Sequence, residues 1–157
     1  MPNLIKAGDS LPKLTLAYRG SPFRVTPGRS GALLYFMRTA DCAVCRAHVR
    51  RLVQFASQAE AAGFTVAVVV PDAAGAAEVA SSLKTPFPVV SGSDAHSDVG
   101  LSKVLFGVVQ QSGTVVTNRE GDVVVLVRAT LPTSAFPEDE VLALFERSTA
   151  PSGAITS

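Results

Sequence analysis

Along the chain, short unbroken apolar runs alternate with stretches in which apolar residues recur every third or fourth position. The run 32–37 (ALLYFM) has no polar alternation, which predicts a strand covered on both faces. Beyond it Cys45, Val49, Leu52, Val53 and Ala56 recur at helical spacing, while Arg46, Arg50, Arg51, Gln54 and Gln58 form the opposite, polar face. Asp41 is the predicted N-cap of this helix and Gly63 its C-terminal stop. The β-branched run 64–70, ending at Pro71-Asp72, predicts a second buried parallel strand and completes a right-handed βαβ unit. The turn 38–42 then lies beyond the carboxyl end of its strand, where open α/β sheets place their sites.

The flanking segments are read in the same way. Two short alternating runs within 11–26, around Arg19-Gly20-Ser21-Pro22, predict an N-terminal hairpin. Residues 73–84 are helix-prone but rich in Ala and Ser, and 86–90 form a short extended piece whose two X-Pro bonds are candidates for the cis form. The loop 93–98 precedes a helix-like segment, 99–108 (VGLSKVLFGV). Residues 114–118 and 123–128 predict a second hairpin around a polar Gly turn, and Pro137 with Glu138, Asp139 and Glu140 opens a last helix over 141–147. The expected organisation is one domain, 1–148, with a flexible tail, 149–157, and no internal repeat. The fold class is α/β (α+β): a central mixed sheet flanked by helices, with an N-terminal β-hairpin extension.

The chemistry concentrates in the turn between the first buried strand and its helix. Cys42 stands at the helix start, where free backbone N–H groups and the positive pole of the helix dipole favour a thiolate, the nucleophilic form of cysteine. Cys45 is one helical turn further on and faces the core, so this placement assigns attack to Cys42 and resolution to Cys45. A C-x-x-C pair is also half of a zinc site, and two buried structural thiols are the plainer alternative. Zinc requires about four ligands, whereas the chain offers no third cysteine and only His48 and His96, without paired-histidine spacing. Asp94, His96 and Asp98 alternate in a Ser/Asp loop, a pattern that points to capping and solvent more than to metal. Arg38 and Arg46 flank Cys42 and are candidates to stabilise its thiolate.

The string YFMRTADCAVCRAHVRRL (35–52) resembles the active-site segment of the redoxin group of the thioredoxin superfamily: the alkyl hydroperoxide reductase/thiol-specific antioxidant, or peroxiredoxin-like, proteins. The similarity extends loosely over residues 5–147, through Gly8, Asp9, Pro12, Leu14 and Leu16 at the entry and VVTNREG near the end. It implies a thioredoxin-like fold, Cys42 as the peroxidatic or otherwise attacking cysteine, Cys45 as the resolving one, and Thr39 as the threonine that hydrogen-bonds thiolate and peroxide. The chain departs from the pattern at Tyr35, where the family has a proline, and at Gln111-Ser112-Gly113, where it has an arginine; the late cis-proline of thioredoxins is missing too. The activity so implied is thiol-based reduction of peroxides or disulfides through the Cys42/Cys45 couple, with Arg38 and Thr39 assisting. It needs no metal or organic cofactor, and its electrons come from a partner such as thioredoxin or a low-molecular-weight thiol. The alternatives are a protein disulfide oxidoreductase and a non-catalytic redox sensor or binding module on the same fold. A homodimer is compatible with either.

Composition narrows the picture further. In 157 residues, 47% hydrophobic and 17% charged side chains describe a chain able to bury a core, and no apolar run reaches a membrane span. The formal charge of +1 conceals a skew, since residues 1–51 hold nine Lys or Arg against two Asp while the rest hold five against eleven Asp or Glu. The basic residues are scattered and lack interleaved aromatics, which argues against nucleic acid. The start MPNLIKAGDSLPKL has no apolar leader core, so the expected location is the cytoplasm, where two cysteines act as a cycling pair and not as a permanent staple.

Overall fold

The computed structural model describes residues 5–149, apart from 105 and 108. Strand β1 (Leu16–Tyr18) and strand β2 (Ser21–Phe23) form the N-terminal hairpin. Strand β3 (Gly31–Phe36) leads through the cysteine turn into helix α1 (Ala43–Ala62), and strand β4 (Phe64–Val70) follows at once. Helix α2 (Ala73–Leu83), strand β5 (Val89–Ser91) and the single helical turn α3 (Ala95–Asp98) come next. Strands β6 (Lys103–Val104) and β7 (Val109–Gln110) make a small separate ribbon. Strand β8 (Ser112–Thr117), strand β9 (Val123–Ala129), a 3-10 turn (Pro132–Ser134) and helix α4 (Glu138–Thr149) complete the described chain.

The main sheet has the order β2-β1-β5-β4-β3-β8-β9. β3, β4 and β5 run parallel, whereas β8 pairs antiparallel with β3 and β9 with β8. This is the mixed sheet expected of a thioredoxin-like fold, and the N-terminal hairpin extends it through an antiparallel pairing of β1 with β5. Every residue of β3 is buried because the sheet is covered on both sides. Leu33, Tyr35 and Met37 face a core that also holds Cys45, Val49 and Leu52 of α1 and Phe145 of α4. Leu34 and Phe36 face a second core with Val69, Val90, Val99, Leu101 and Val115. Removing a side chain such as Phe36 from water contributes about 1.5–3 kcal/mol, so β3 is firmly seated where the site begins.

α1 ends where its sequence says it should. Gly63 adopts φ +90°, and its N–H closes on the carbonyls of Ala59 and Glu60. Close approach explains another glycine: a Cβ on Gly113, opposite Phe36, would collide with the Val127 carbonyl.

Some expectations need correction. The described residues of 99–108 are not helical: the helical turn is Ala95–Asp98, after which the chain turns at Gly100 (φ +85°) towards β6, and Gly107 (φ +77°) lies between β6 and β7. No cis peptide bond occurs among the described residues, so both X-Pro bonds of 86–90 are trans. The N-cap of α1 is Cys42, one residue later than Asp41, and α4 runs from Glu138 to Thr149, longer than 141–147. Thr149 therefore belongs to a helix, while residues 150–157 of the expected tail lie outside the described residues.

Candidate active site

The site is the turn that joins β3 to α1. Val69 on the neighbouring strand accepts from the Met37 N–H at 3.0 Å, and the buried His96 donates through Nε2 to the Met37 carbonyl at 2.7 Å, so both backbone groups of that residue are tied down. The Cys42 N–H reaches the Thr39 carbonyl at 3.3 Å and the Arg46 N–H reaches the Cys42 carbonyl at 2.9 Å, which closes the turn and starts the helix.

Cys42 occupies the N-cap with extended backbone (φ −68°, ψ 112°), and its Sγ accepts the Cys45 N–H at 3.3 Å. A cap position normally goes to Ser, Thr, Asp or Asn, whose oxygen takes up an orphan N–H of the first turn. Here sulfur does so, which aims a backbone N–H dipole at the atom that would carry negative charge. The Cys45 Sγ in turn accepts the Arg38 N–H at 3.4 Å. Both cysteines are free thiols and both are buried, Cys42 at 5% exposure and Cys45 at 0%. Burial pushes the Cys45 thiol up to about 11; its hydrogen bond with Cys42 adds to this, and the Arg38 N–H and the Tyr35 hydroxyl oppose it.

The remaining residues singled out by sequence distribute unevenly. The Arg38 side chain lines a cavity of about 570 Å³ together with Thr39, Pro71, His96, Lys103 and Gln110. Its backbone N–H bears on Cys45. The Thr39 hydroxyl donates to Asp41 Oδ1 at 2.7 Å and not to a sulfur. Asp41, displaced from the N-cap by Cys42, serves as that hydroxyl's acceptor. The Arg46 guanidinium is engaged by the Ala40 carbonyl at 2.9 Å and by Glu78 at 2.7 Å on α2. A larger cavity, about 850 Å³, lies between the N-terminal hairpin and the 119–121 turn, away from both thiols.

Sequence reasoning missed Tyr35 as a polar partner. Its hydroxyl lies 2.7 Å from Nδ1 of His48, and the two rings meet edge to face at 5.6 Å with Phe136 packed against both. A signal was present: a tyrosine in an otherwise aliphatic and Phe-lined buried strand carries an O–H that needs a partner. Among the described residues no group of three or more His, Cys, Asp or Glu could hold a metal ion.

The chain that carries this turn is similar to known proteins. The model of the AhpC/TSA family matches residues 7–126. The chain belongs to the AhpC/TSA family. It is thereby a peroxiredoxin-like thiol oxidoreductase. No curated protein matches the sequence. Among solved structures, a peroxiredoxin-like protein from Aquifex aeolicus superposes with TM-score 0.78 at 17% identity, covering 94% of this chain and 90% of that one. Peroxidoxin BcpB from Mycobacterium tuberculosis gives 0.77 at 18%, covering 91% and 97%. Reduced Prx3 from Vibrio vulnificus, in complex with H2O2, gives 0.74 at 21%, covering 90% and 99%. At these identities the likeness speaks for the thioredoxin-like fold, and the AhpC/TSA match for the kind of chemistry.

Proposed function

We propose that this AhpC/TSA protein reduces peroxides, with Cys42 as the attacking thiol and Cys45 as the resolving thiol. The observation that supports this most is the Cys45 N–H directed at the Cys42 sulfur from 3.3 Å at the start of α1. A thiolate formed there gains a charge-assisted hydrogen bond, worth about 1.5–3 kcal/mol, that a neutral thiol does not. Attack on a peroxide oxygen breaks the O–O bond, leaves Cys42 as a sulfenic acid and releases water or an alcohol. Cys45 then attacks the Cys42 sulfur, forming the disulfide and expelling a second water. Two electrons from a thiol donor restore both cysteines.

The donor in this reading is thioredoxin or a low-molecular-weight thiol, and the cytoplasm, which keeps such thiols reduced, is the compartment that suits the cycle. No helix among the described residues is long and apolar enough to cross a membrane. The cavity bordered by Arg38, Thr39 and Lys103 adjoins the cysteine turn. Thr39 supports the reaction once its hydroxyl turns from Asp41 to the incoming peroxide, and Arg38 contributes through its N–H on Cys45. Residues 1–148 act as one redoxin unit, and pairing into a homodimer is compatible with this cycle.

Hydrogen peroxide consumption with thioredoxin or dithiothreitol as donor tests the proposal. The parent turns over repeatedly, Cys42→Ser is inactive, and Cys45→Ser stops after one equivalent unless the donor resolves Cys42 directly. Consumption unchanged in Cys42→Ser would refute it, and turnover of small disulfides but not of peroxide would instead make the protein a disulfide reductase.

A further inference from the structure

The cavity beside the cysteine turn is walled by Arg38 and Thr39 of that turn, Pro71 after β4, His96 of α3, and Lys103 and Gln110 of the β6/β7 ribbon. Two of its polar groups are already committed: the His96 Nε2 donates to the Met37 carbonyl, and the Gln110 amide to the carbonyls of Leu101, Ser102 and Gln111. The cations are not. All thirteen Asp and Glu of the chain lie among the described residues, yet none stands in this wall and none pairs with Arg38 or Lys103. Arg46, Arg51 and Arg119, by contrast, are each held by a glutamate. A half-buried arginine and a lysine that share one cavity without a counter-charge make it positive, so an anion that enters is favoured.

Two wall residues are hydrogen-bonded to the two cysteines. The Thr39 carbonyl accepts the Cys42 N–H at 3.3 Å, and the Arg38 N–H donates to the Cys45 sulfur at 3.4 Å. The reactants of the cycle differ in charge. Hydrogen peroxide is neutral and gives a cation no handle, whereas a thiol donor attacks as the thiolate and is itself an anion. A carboxylate on that donor adds a second negative group. Size points the same way, since about 570 Å³ lies within the range of small-molecule sites, about 300–1,000 Å³. With Cys42 at 5% exposure and Cys45 at 0%, a small thiol suits the access better than the surface of a folded protein.

We propose that this cavity is the subsite of the reductant, a carboxylate-bearing low-molecular-weight thiol, whose carboxylate is held by Arg38 and Lys103 while its sulfur reduces the Cys42–Cys45 disulfide. This rests on the reading that the two cysteines cycle through that disulfide. The donor thiolate bonds to the Cys42 sulfur, the Cys42–Cys45 bond breaks, and Cys45 leaves as a thiolate that takes up a proton. A second donor thiolate then bonds to the sulfur of the first. The mixed disulfide breaks, and Cys42 is released and protonated in turn. Two donor thiols and one protein disulfide thus give one donor disulfide and two protein thiols, with two electrons passing to the protein and the donors' two protons ending on the cysteines.

The test forms the disulfide with diamide, without peroxide, and follows its reduction by intact mass. Three thiols of similar size and different charge are compared: 3-mercaptopropionate, 2-mercaptoethanol and cysteamine. Each rate, taken per thiolate, is divided by the rate of the same thiol with 2-hydroxyethyl disulfide, which removes its intrinsic reactivity. In the parent the normalised rates should fall in the order given, with about ten-fold between the ends, the lower end of electrostatic steering. That spread should collapse in about 1 M KCl, where the screening length is about 3 Å. Lys103→Gln should narrow it, and the double variant Arg38→Gln/Lys103→Glu, which keeps the Arg38 N–H, should reverse the order. Because the order is read within each protein, a general loss of rate from altered packing does not imitate the effect. Equal normalised rates in the parent, or the parental order kept in salt or in the double variant, overturns the subsite and leaves a protein donor as the reductant. A disulfide that forms with diamide but not with hydrogen peroxide refutes the peroxide reading instead, and the same order of thiols still judges the subsite. No disulfide even with diamide removes the couple and the subsite together.

Discussion

The Cys45 N–H donates to the Cys42 sulfur at 3.3 Å, so one thiol of the pair caps the helix that carries the other. Reactivity and helix stability therefore meet in one atom. Cys42→Ala should lower the stability of the reduced protein by about 1 kcal/mol, the usual size of a lost N-cap. Cys42→Ser, which supplies a better cap, should retain parental stability while losing activity. Urea unfolding of the reduced proteins separates the two, and equal stability of the Ala and Ser variants would show that the sulfur cap contributes nothing.

Stability should also depend on alkaline pH through Cys45. Its thiol is pushed up to about 11 in the folded protein, chiefly by burial. An unfolded cysteine ionises at about 8.5. Between these values the unfolded chain binds fewer protons than the native one, so stability is full below about 8.5 and falls as pH rises towards about 11. Unfolding free energies of the reduced protein against pH should show that decline, and Cys45→Ala should flatten it.

His96 gives the opposite sign at acidic pH. It is buried, its imidazole is held below the ordinary histidine range by that burial, and the hydrogen bond to Met37 pulls back only in part. The native state thus resists the proton that the unfolded chain takes up below about 6.5, and this contribution to stability is lost as pH falls through that region. His96→Ala should cost at least about 1–3 kcal/mol by leaving the buried Met37 carbonyl without its donor. Thermal unfolding of parent and variant at neutral and acidic pH checks both statements.

The βαβ unit was legible in the sequence because unbroken apolar runs and a capped amphipathic stretch have few alternative foldings. Residues 64–70 became β4 residue for residue, and Gly63 ended α1. The 99–108 segment misled because Val99, Leu101, Val104 and Leu105 mimic a helical repeat. Positive φ at Gly100, Phe106 and Gly107 breaks that repeat, and Phe106 is left exposed on the surface. At the site, C-x-x-C spacing was visible as a local motif. The Tyr35–His48 pair was not, since it joins a strand to a helix across thirteen residues and only the folded register brings the groups together. The Arg46 partner was not legible for a related reason: Glu78, the carboxylate that holds its guanidinium, lies on another helix.

Because Arg46 is committed to Glu78, Glu78→Gln should leave the Cys42 reaction rate with peroxide unchanged and barely alter stability, as befits a solvent-exposed pair. Competition kinetics with a reference peroxidase would detect a change. A marked acceleration in the variant would mean that the freed guanidinium acts on the thiol.

Thr39→Val should separate peroxide chemistry from general thiol exchange. Its hydroxyl, bonded to Asp41 in the resting protein, is the group proposed to meet the peroxide. Losing a hydrogen bond to a charged partner in the transition state costs about 1.5–3 kcal/mol, a slowing of roughly ten-fold to hundred-fold. The reaction with hydrogen peroxide should slow by that factor and the reaction with a small disulfide should not. Equal rates for variant and parent in both would remove Thr39 from the mechanism.

The division of labour between the cysteines is tested most directly by intact-mass analysis after an equimolar pulse of hydrogen peroxide. The parent should lose two hydrogens as a monomer, Cys45→Ser should gain one oxygen on Cys42, and Cys42→Ser should remain unmodified. Oxidation of Cys45 in Cys42→Ser, or a parent that forms only intermolecular dimers, would contradict the assignment of attack to Cys42 and resolution to Cys45.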